Sequence, residues 1–444
     1  MRGRGLLFGT LALAALLPGL SACDSWLGEE EGPPLEGTRI SVMAHEAKAL
    51  PAKTAQGVTI VLPKPEPNPD WPQTGGLSHH AMVHLALPDA ISEAWSVSLG
   101  EGSDSRNRLL TAPVVAADKV FAMDVRAHAT AFDAKTGSRL WRVDLTPDGG
   151  DEVVIRGGGL AYDDGLLYAT TGVGELWCLN AESGGFYWKA RVDSPIRSAP
   201  TVYGGRVFVV TASNKVMAFA ARDGKKLWEY EGVEETTGLL GSASPAADHG
   251  VLVAAMRGGG LLALRVESGA LLWEDMLSTA RRADVISGLA DVKAPPVIAD
   301  GRVYAVGNGG VIAAIDLRTG NRLWDRDVGG IDLPWVAGNA IFLLSSGNEL
   351  MALERNSGKP IWVTPLSVWK NPEDKKGRIV WTGPILAGDR LILGGSHRYL
   401  LSVSPYSGKV LGYEKISDGL AVPPIAAGGT VYFLTTEADL LAFR

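Results

Sequence analysis

An eleven-residue phrase is written seven times along this chain, and its best copies read Ala131-Phe-Asp-Ala-Lys-Thr-Gly137-Ser-Arg-Leu-Trp141 and Ala314-Ile-Asp-Leu-Arg-Thr-Gly320-Asn-Arg-Leu-Trp324. A glycine and a tryptophan four residues later mark the copies at Gly137/Trp141, Gly184/Trp188, Gly224/Trp228, Gly269/Trp273, Gly320/Trp324 and Gly358/Trp362, and a last copy has Gly408 with Gly412 in the aromatic position. Successive glycines stand 47, 40, 45, 51, 38 and 50 residues apart. A period of this size belongs to stacked sheet units, because one small sheet cannot bury both of its faces and must be covered by copies of itself.

The residues of the phrase say what each unit contains. Apolar residues ahead of the glycine, as in Val216-Met-Ala-Phe219, read as one strand, and Lys226-Leu-Trp-Glu-Tyr230 after it reads as the next. Between them an Asp or Ser followed by Gly supplies a side-chain-capped turn and a position with φ > 0. The tryptophan, four residues on, is then able to lie across the neighbouring unit. A Pro-led strand and a Gly-rich hairpin precede each phrase, as in Ala199-Pro-Thr-Val-Tyr-Gly-Gly-Arg-Val-Phe208, so each unit holds four antiparallel strands.

The two ends are complementary. The chain stops at Asp439-Leu-Leu-Ala-Phe-Arg444 with no hairpin after it, while Glu93-Ala-Trp95-Ser-Val-Ser-Leu99 is an outer strand with nothing before it. Trp95 heads a segment that matches Trp141-Arg-Val-Asp-Leu145 in residue type. Pairing a strand over about 91–99 with strands over about 420–444 leaves no open edge and gives an all-β, eight-bladed β-propeller. A pair of β-sandwich domains, the alternative, predicts no such complementary truncation.

With 46% hydrophobic and 20% charged residues the chain can bury a large core, and its 55 Gly and 25 Pro fall at the repeat turns. A net charge of -7 without a basic run argues against nucleic acid as a partner. The sequence divides into 1–22, 23–88 and 89–444. Arg2, Arg4, the apolar stretch Leu6 to Leu17 and Leu20-Ser-Ala-Cys23 read as a lipoprotein signal peptide cleaved before Cys23, the residue expected to carry the lipid. Residues 23–88 hold Glu29-Glu-Glu31 and Pro63-Lys-Pro-Glu-Pro-Asn-Pro69 and read as a spacer with polyproline character, with short apolar patches at 39–43 and 58–62 able to dock on the propeller or on a partner. The propeller is expected over 89–444.

Candidate chemistry is sparse. Cys178, the one thiol left after lipidation of Cys23, sits among apolar neighbours and reads as a buried, inert small residue. His79, His80 and His84 would share one face of a helix, but no acidic or cysteine partner completes a ligand set nearby, so the expectation is a linker and no metal. No catalytic residue is expected: carboxylates fall singly in turns, and no nucleophile signature is present.

The repeat unit is that of pyrroloquinoline-quinone-type propellers. Together with the lipobox, and with Trp71-Pro-Gln-Thr-Gly-Gly76 ahead of the first strand, it resembles the BamB family of lipoproteins over roughly 71–444, in a form similar to its alphaproteobacterial branch. The resemblance implies a non-enzymatic scaffold without a cofactor. It implies membership of the outer-membrane β-barrel assembly (BAM) complex, bound to the POTRA domains of the barrel-inserting subunit BamA and to other subunits, with unfolded outer-membrane clients as further partners. It also implies a lipid anchor in the outer membrane facing the periplasm; Asp24 beside the lipidated cysteine keeps the inner membrane as the alternative. Aligned on Gly241-Ser-Ala-Ser-Pro245 and Ala294-Pro-Pro-Val297, the family's partner-binding positions fall on Leu239, Leu240, Asp291 and Lys293, where Leu240 and Lys293 depart from the family's arginine and aspartate. Quinone-dependent periplasmic oxidoreductases use the same repeat, but their adjacent-cysteine disulfide is absent here; another envelope adaptor is the remaining alternative.

Overall fold

Each repeat phrase forms the third and fourth strands of a four-stranded antiparallel sheet, and the Gly-rich hairpin before it forms the first and second. The computed structural model describes residues 57–104, 107–146, 157–233, 242–277, 292–308 and 310–444. In blade 1 the strands are Val114–Ala116, Lys119–Met123, His128–Asp133 and Arg139–Asp144, paired in that order. Blades 2 to 7 repeat the order over 158–191, 201–231, 246–276, 297–326, 335–365 and 381–415. Blade 8 is assembled from both ends: Glu93–Ser98 pairs with Asp439–Phe443, followed inward by Thr430–Leu434 and Ile425–Ala427. The eight-bladed all-β propeller and its closure are therefore as the sequence predicts.

The first strands of neighbouring blades contact one another round the axis. The second and third strands are almost wholly buried, because both faces are covered by adjacent blades. Cys178 is fully buried in a third strand, and burial pushes its thiol up to about 12, which keeps it protonated and inert as expected.

The spacing of Gly and Trp becomes a lock between blades. Every indole on an outer strand donates its Nε1–H to a backbone carbonyl three residues before the next blade's glycine: Trp95 to Ala134 (3.1 Å), Trp141 to Ala181 (3.0 Å), Trp188 to Ala221 (3.1 Å), Trp228 to Val266 (2.9 Å), Trp273 to Leu317 (2.8 Å), Trp324 to Arg355 (3.0 Å) and Trp362 to Pro405 (2.9 Å). The ring lies flat on the glycine itself. A Cβ added at Gly224 would stand 2.4 Å from Trp188, and φ there is +69°, so backbone conformation and ring contact both demand glycine. Gly412 breaks the pattern for a structural reason. Its neighbour, blade 8, is closed by the two chain ends, where Ser92 and Arg444 exchange backbone hydrogen bonds, and so has no turn glycine to receive an indole.

Residues 57–88 depart from the spacer expectation: this part of the segment runs round the propeller axis at one end of it. Each first strand presents a free edge to the axis, and unpaired N–H groups there are costly unless capped. The segment caps them in turn. Asn68 bonds Ala426 O and Gly428 N–H in blade 8, Trp71 exchanges bonds with Val115 in blade 1, Pro72 O accepts from Tyr162 in blade 2, and the Gln73 amide pairs with Val202 in blade 3. Ser78 O accepts from Ala247 in blade 4 and His79 O from Ile298 in blade 5, Trp335 of blade 6 donates to Val83 O, and Leu85 pairs with Leu386 and Gly388 in blade 7. One strap thus touches all eight blades in ring order, with Trp71 buried and stacked on Trp335 at 6.1 Å.

Candidate partner-binding face

In the connections that are described, such as 192–200, 327–334 and 416–424, the chain leaves an outermost strand and enters the next innermost strand on the same face, so these connections lie round one mouth of the axis. The strap closes the axis from the other side, and Trp71, Thr74 and Gly75 form the floor of a blind funnel of about 240 Å³. Ser242, Lys293, Asp332, Trp335 and Trp381 contribute to its wall. Leu239, Leu240 and Asp291 lie outside the described residues, as does Cys23. Lys293 is described and half-buried, and it shares the funnel wall with Ser242, which immediately follows the first of the two loops picked from the sequence. Ser242 and Lys293 thus both line the mouth of the axis.

Asp332, opposite Lys293, is a group that sequence reasoning missed. Burial raises its carboxyl to about 6, against the opposing pull of the Lys293 charge and of hydrogen bonds from Gly383 N–H (3.1 Å) and Thr382. Nothing in its own segment, Gly329-Gly-Ile-Asp-Leu-Pro334, marks it out. Its environment comes from residues fifty positions away.

The histidines are not brought together as ligands. His80 Nδ1–H donates to Pro296 O at 2.7 Å, while the His84 ring lies against Pro63 O (Nδ1, 2.8 Å) and accepts from Asp389 N–H (Nε2, 3.2 Å). Among the described residues no group of three or more His, Cys, Asp or Glu is placed to hold a metal. His80 is a buried strap residue whose Nε2 has no partner among the described residues, so a second proton there would be unsolvated; burial lowers its pKa to about 4.

A pH prediction follows from that histidine. The unfolded chain binds a proton near 6.5 and the folded chain near 4, so between these values unfolding takes up protons and stability falls as pH falls. The shift corresponds to about 3 kcal/mol, fully present above 6.5 and lost on approaching 4. His80→Asn, an exchange suited to the left-handed backbone there (φ 64°), is expected to flatten the acid limb of a denaturation profile.

The comparisons agree with this architecture. The profile of the outer membrane protein assembly factor BamB family matches residues 92–156 and 125–364. Outer membrane protein assembly factor BamB of Yersinia pestis is 27% identical over 357 residues, covering 79% of this chain and 88% of its own length. That of Escherichia coli K12 is 28% identical over 355 residues, covering 77% and 88%. Among solved structures, BamB from Moraxella catarrhalis superposes with a TM-score of 0.68 at 20% identity, covering 80% of this chain and 100% of that one. Quinohemoprotein alcohol dehydrogenase from Comamonas testosteroni reaches 0.65 at 14% identity, covering 84% and 80%, and shares the fold alone. The chain's kinship is thus with assembly factors and not with the enzymes. By its blades and by a profile match running through the first six of them, the chain belongs to the outer membrane protein assembly factor BamB family.

Proposed function

We propose that this chain is a non-enzymatic scaffold in the assembly of outer-membrane β-barrel proteins, tethered through lipid on Cys23 and facing the periplasm. Its connection face, with Leu239, Leu240, Asp291 and Lys293, docks on the POTRA domains of the barrel-inserting subunit. The observation that carries the reading is the family match through the blades, with relatives named as outer membrane protein assembly factors over nearly nine-tenths of their length. The position of Lys293 beside the mouth supports the choice of face, since a half-buried lysine there is available to an acidic partner.

Cross-linking of the native protein in its own membranes, followed by mass spectrometry, tests the reading. The barrel-inserting subunit is the expected product, and Lys293→Glu is expected to weaken its recovery by about tenfold through repulsion and lost pairing. Recovery of a different envelope complex would sink the assignment. Cys23→Ala is expected to abolish palmitate labelling and to move the protein from the membrane to the soluble periplasmic fraction; retention in the membrane would remove the anchor from the account.

A further inference from the structure

The connection between blades 6 and 7 differs from the others described. Residues 327–334 and 416–424 pass directly from one blade to the next, whereas 366–380 carry an additional two-stranded hairpin, Trp369–Asn371 paired with Lys376–Arg378. Its base is fixed. Ile379 is buried and its N–H donates to Val368 O (2.8 Å), Trp381 Nε1–H donates to Ser367 O (2.9 Å), and Asn348 reaches Ile379 O (3.1 Å). Its tip is a closed turn, in which Asn371 Oδ1 accepts from Glu373 and Asp374 N–H and Asn371 Nδ2 donates to Asp374. The hairpin is therefore ordered, yet residues 370–378 are all exposed and bury no core. Ordering a segment costs conformational entropy, and here no burial by the tip offsets it.

Its charge runs against that of the whole. Lys370, Lys375, Lys376 and Arg378 face Glu373 and Asp374 on a chain of net charge -7, and none of the four cations forms an ion pair among the described residues. At its base Val380 is 56% exposed, and Tyr399, 38% exposed, lies against His397, whose ring packs on Trp381. Such a pairing of a steering charge with an aromatic anchor is what a protein partner uses.

We propose that hairpin 369–378 is a second docking element on the connection face, which receives an acidic, Asp/Glu-rich surface of the partner protein with Val380 and Tyr399 as its apolar contact. Glu373 and Asp374 at the tip favour a protein over an anionic bilayer, because a flat negative surface would meet those carboxylates first. The inference rests on the proposed function for the identity of that partner.

The test uses the full lipidated chain and the intact barrel-inserting subunit from the same cells, in detergent, with binding kinetics followed at low and physiological salt. The variant is Lys370→Glu/Lys375→Glu/Lys376→Glu/Arg378→Glu, whose exposed sites leave the fold intact, as an unchanged melting curve would verify. A second variant replaces 370–377 by two glycines. The expected result is an association rate about tenfold lower for both variants, with a shallower salt dependence. If the wild-type chain binds the subunit and the variants bind it equally well, the hairpin inference is wrong while the function stands. Absence of wild-type binding overturns the function and the inference with it. Variants that match wild type toward the subunit but lose binding to phosphatidylglycerol vesicles would assign the hairpin to the membrane and overturn the proposal.

Discussion

Gly358→Ala is expected to lower the stability of the propeller by about 2–5 kcal/mol, although it adds one methyl group. Two costs combine. The backbone at Gly358 has φ of +65°, which an L side chain adopts at a cost of about 1–2 kcal/mol, and the new Cβ would come 2.5 Å from the Trp324 ring, forcing the indole off its carbonyl on Arg355. Gly205→Ala separates the two, because Gly205 has φ of +72° with nothing within 4 Å, and should cost only the backbone term of about 1–2 kcal/mol. Trp324→Ala alone is expected to cost about 3–5 kcal/mol. With both changes made, the Gly358→Ala increment should fall to its backbone part, since the ring it strikes is gone. Equilibrium denaturation of the four variants reads these differences. Additivity of the two substitutions would mean that the indole does not rest on the glycine.

Trp71→Ala is expected to loosen the strap and cost about 3–5 kcal/mol, the range for an aromatic buried to this degree. Its effect should spread round the axis. Trp71, Pro72, Ser78 and His79 cap the inner-edge N–H groups of Val115, Tyr162, Ala247 and Ile298, so a strap that detaches as a unit exposes all four amides together. Hydrogen exchange should then show those amides accelerating in concert while third-strand amides such as that of Ala218 stay protected. Acceleration confined to Val115 would show that the strap is held residue by residue. Gln73→Leu tests one contact alone, removing both hydrogen bonds to Val202, at 2.8 and 3.0 Å, in a buried setting.

The blades were legible because their signal repeats. A turn glycine with an indole four residues on recurs at fixed offsets and encodes both the hairpin and the contact to the next blade, and even the missing indole at Gly412 marks the place where the chain ends meet. The strap was not legible, because its contacts join residues such as Gln73 and Val202 whose separation follows no period, and its prolines suit an extended solvated chain as well as a packed one. Its sequence does hold a clue in Trp71, a large apolar residue poorly suited to a solvated spacer. The hairpin 369–378 was hidden within the variable spacing of the repeats. Asp332 was hidden for a different reason: its raised pKa is made by burial and by groups brought from other blades. Of the four partner-face positions picked by resemblance, Lys293 is among the described residues and lines the axis mouth, while Leu239, Leu240 and Asp291 lie outside them.

The most direct test of the central claim is the quantity of folded β-barrel protein in outer membranes from cells lacking this chain, compared with cells in which the chain or its Cys23→Ala form is restored. Folded barrels are expected to decline without the chain, recover with the intact chain and recover incompletely with the unanchored form. Unchanged barrel levels, accompanied by loss of a quinone-dependent oxidation, would contradict it.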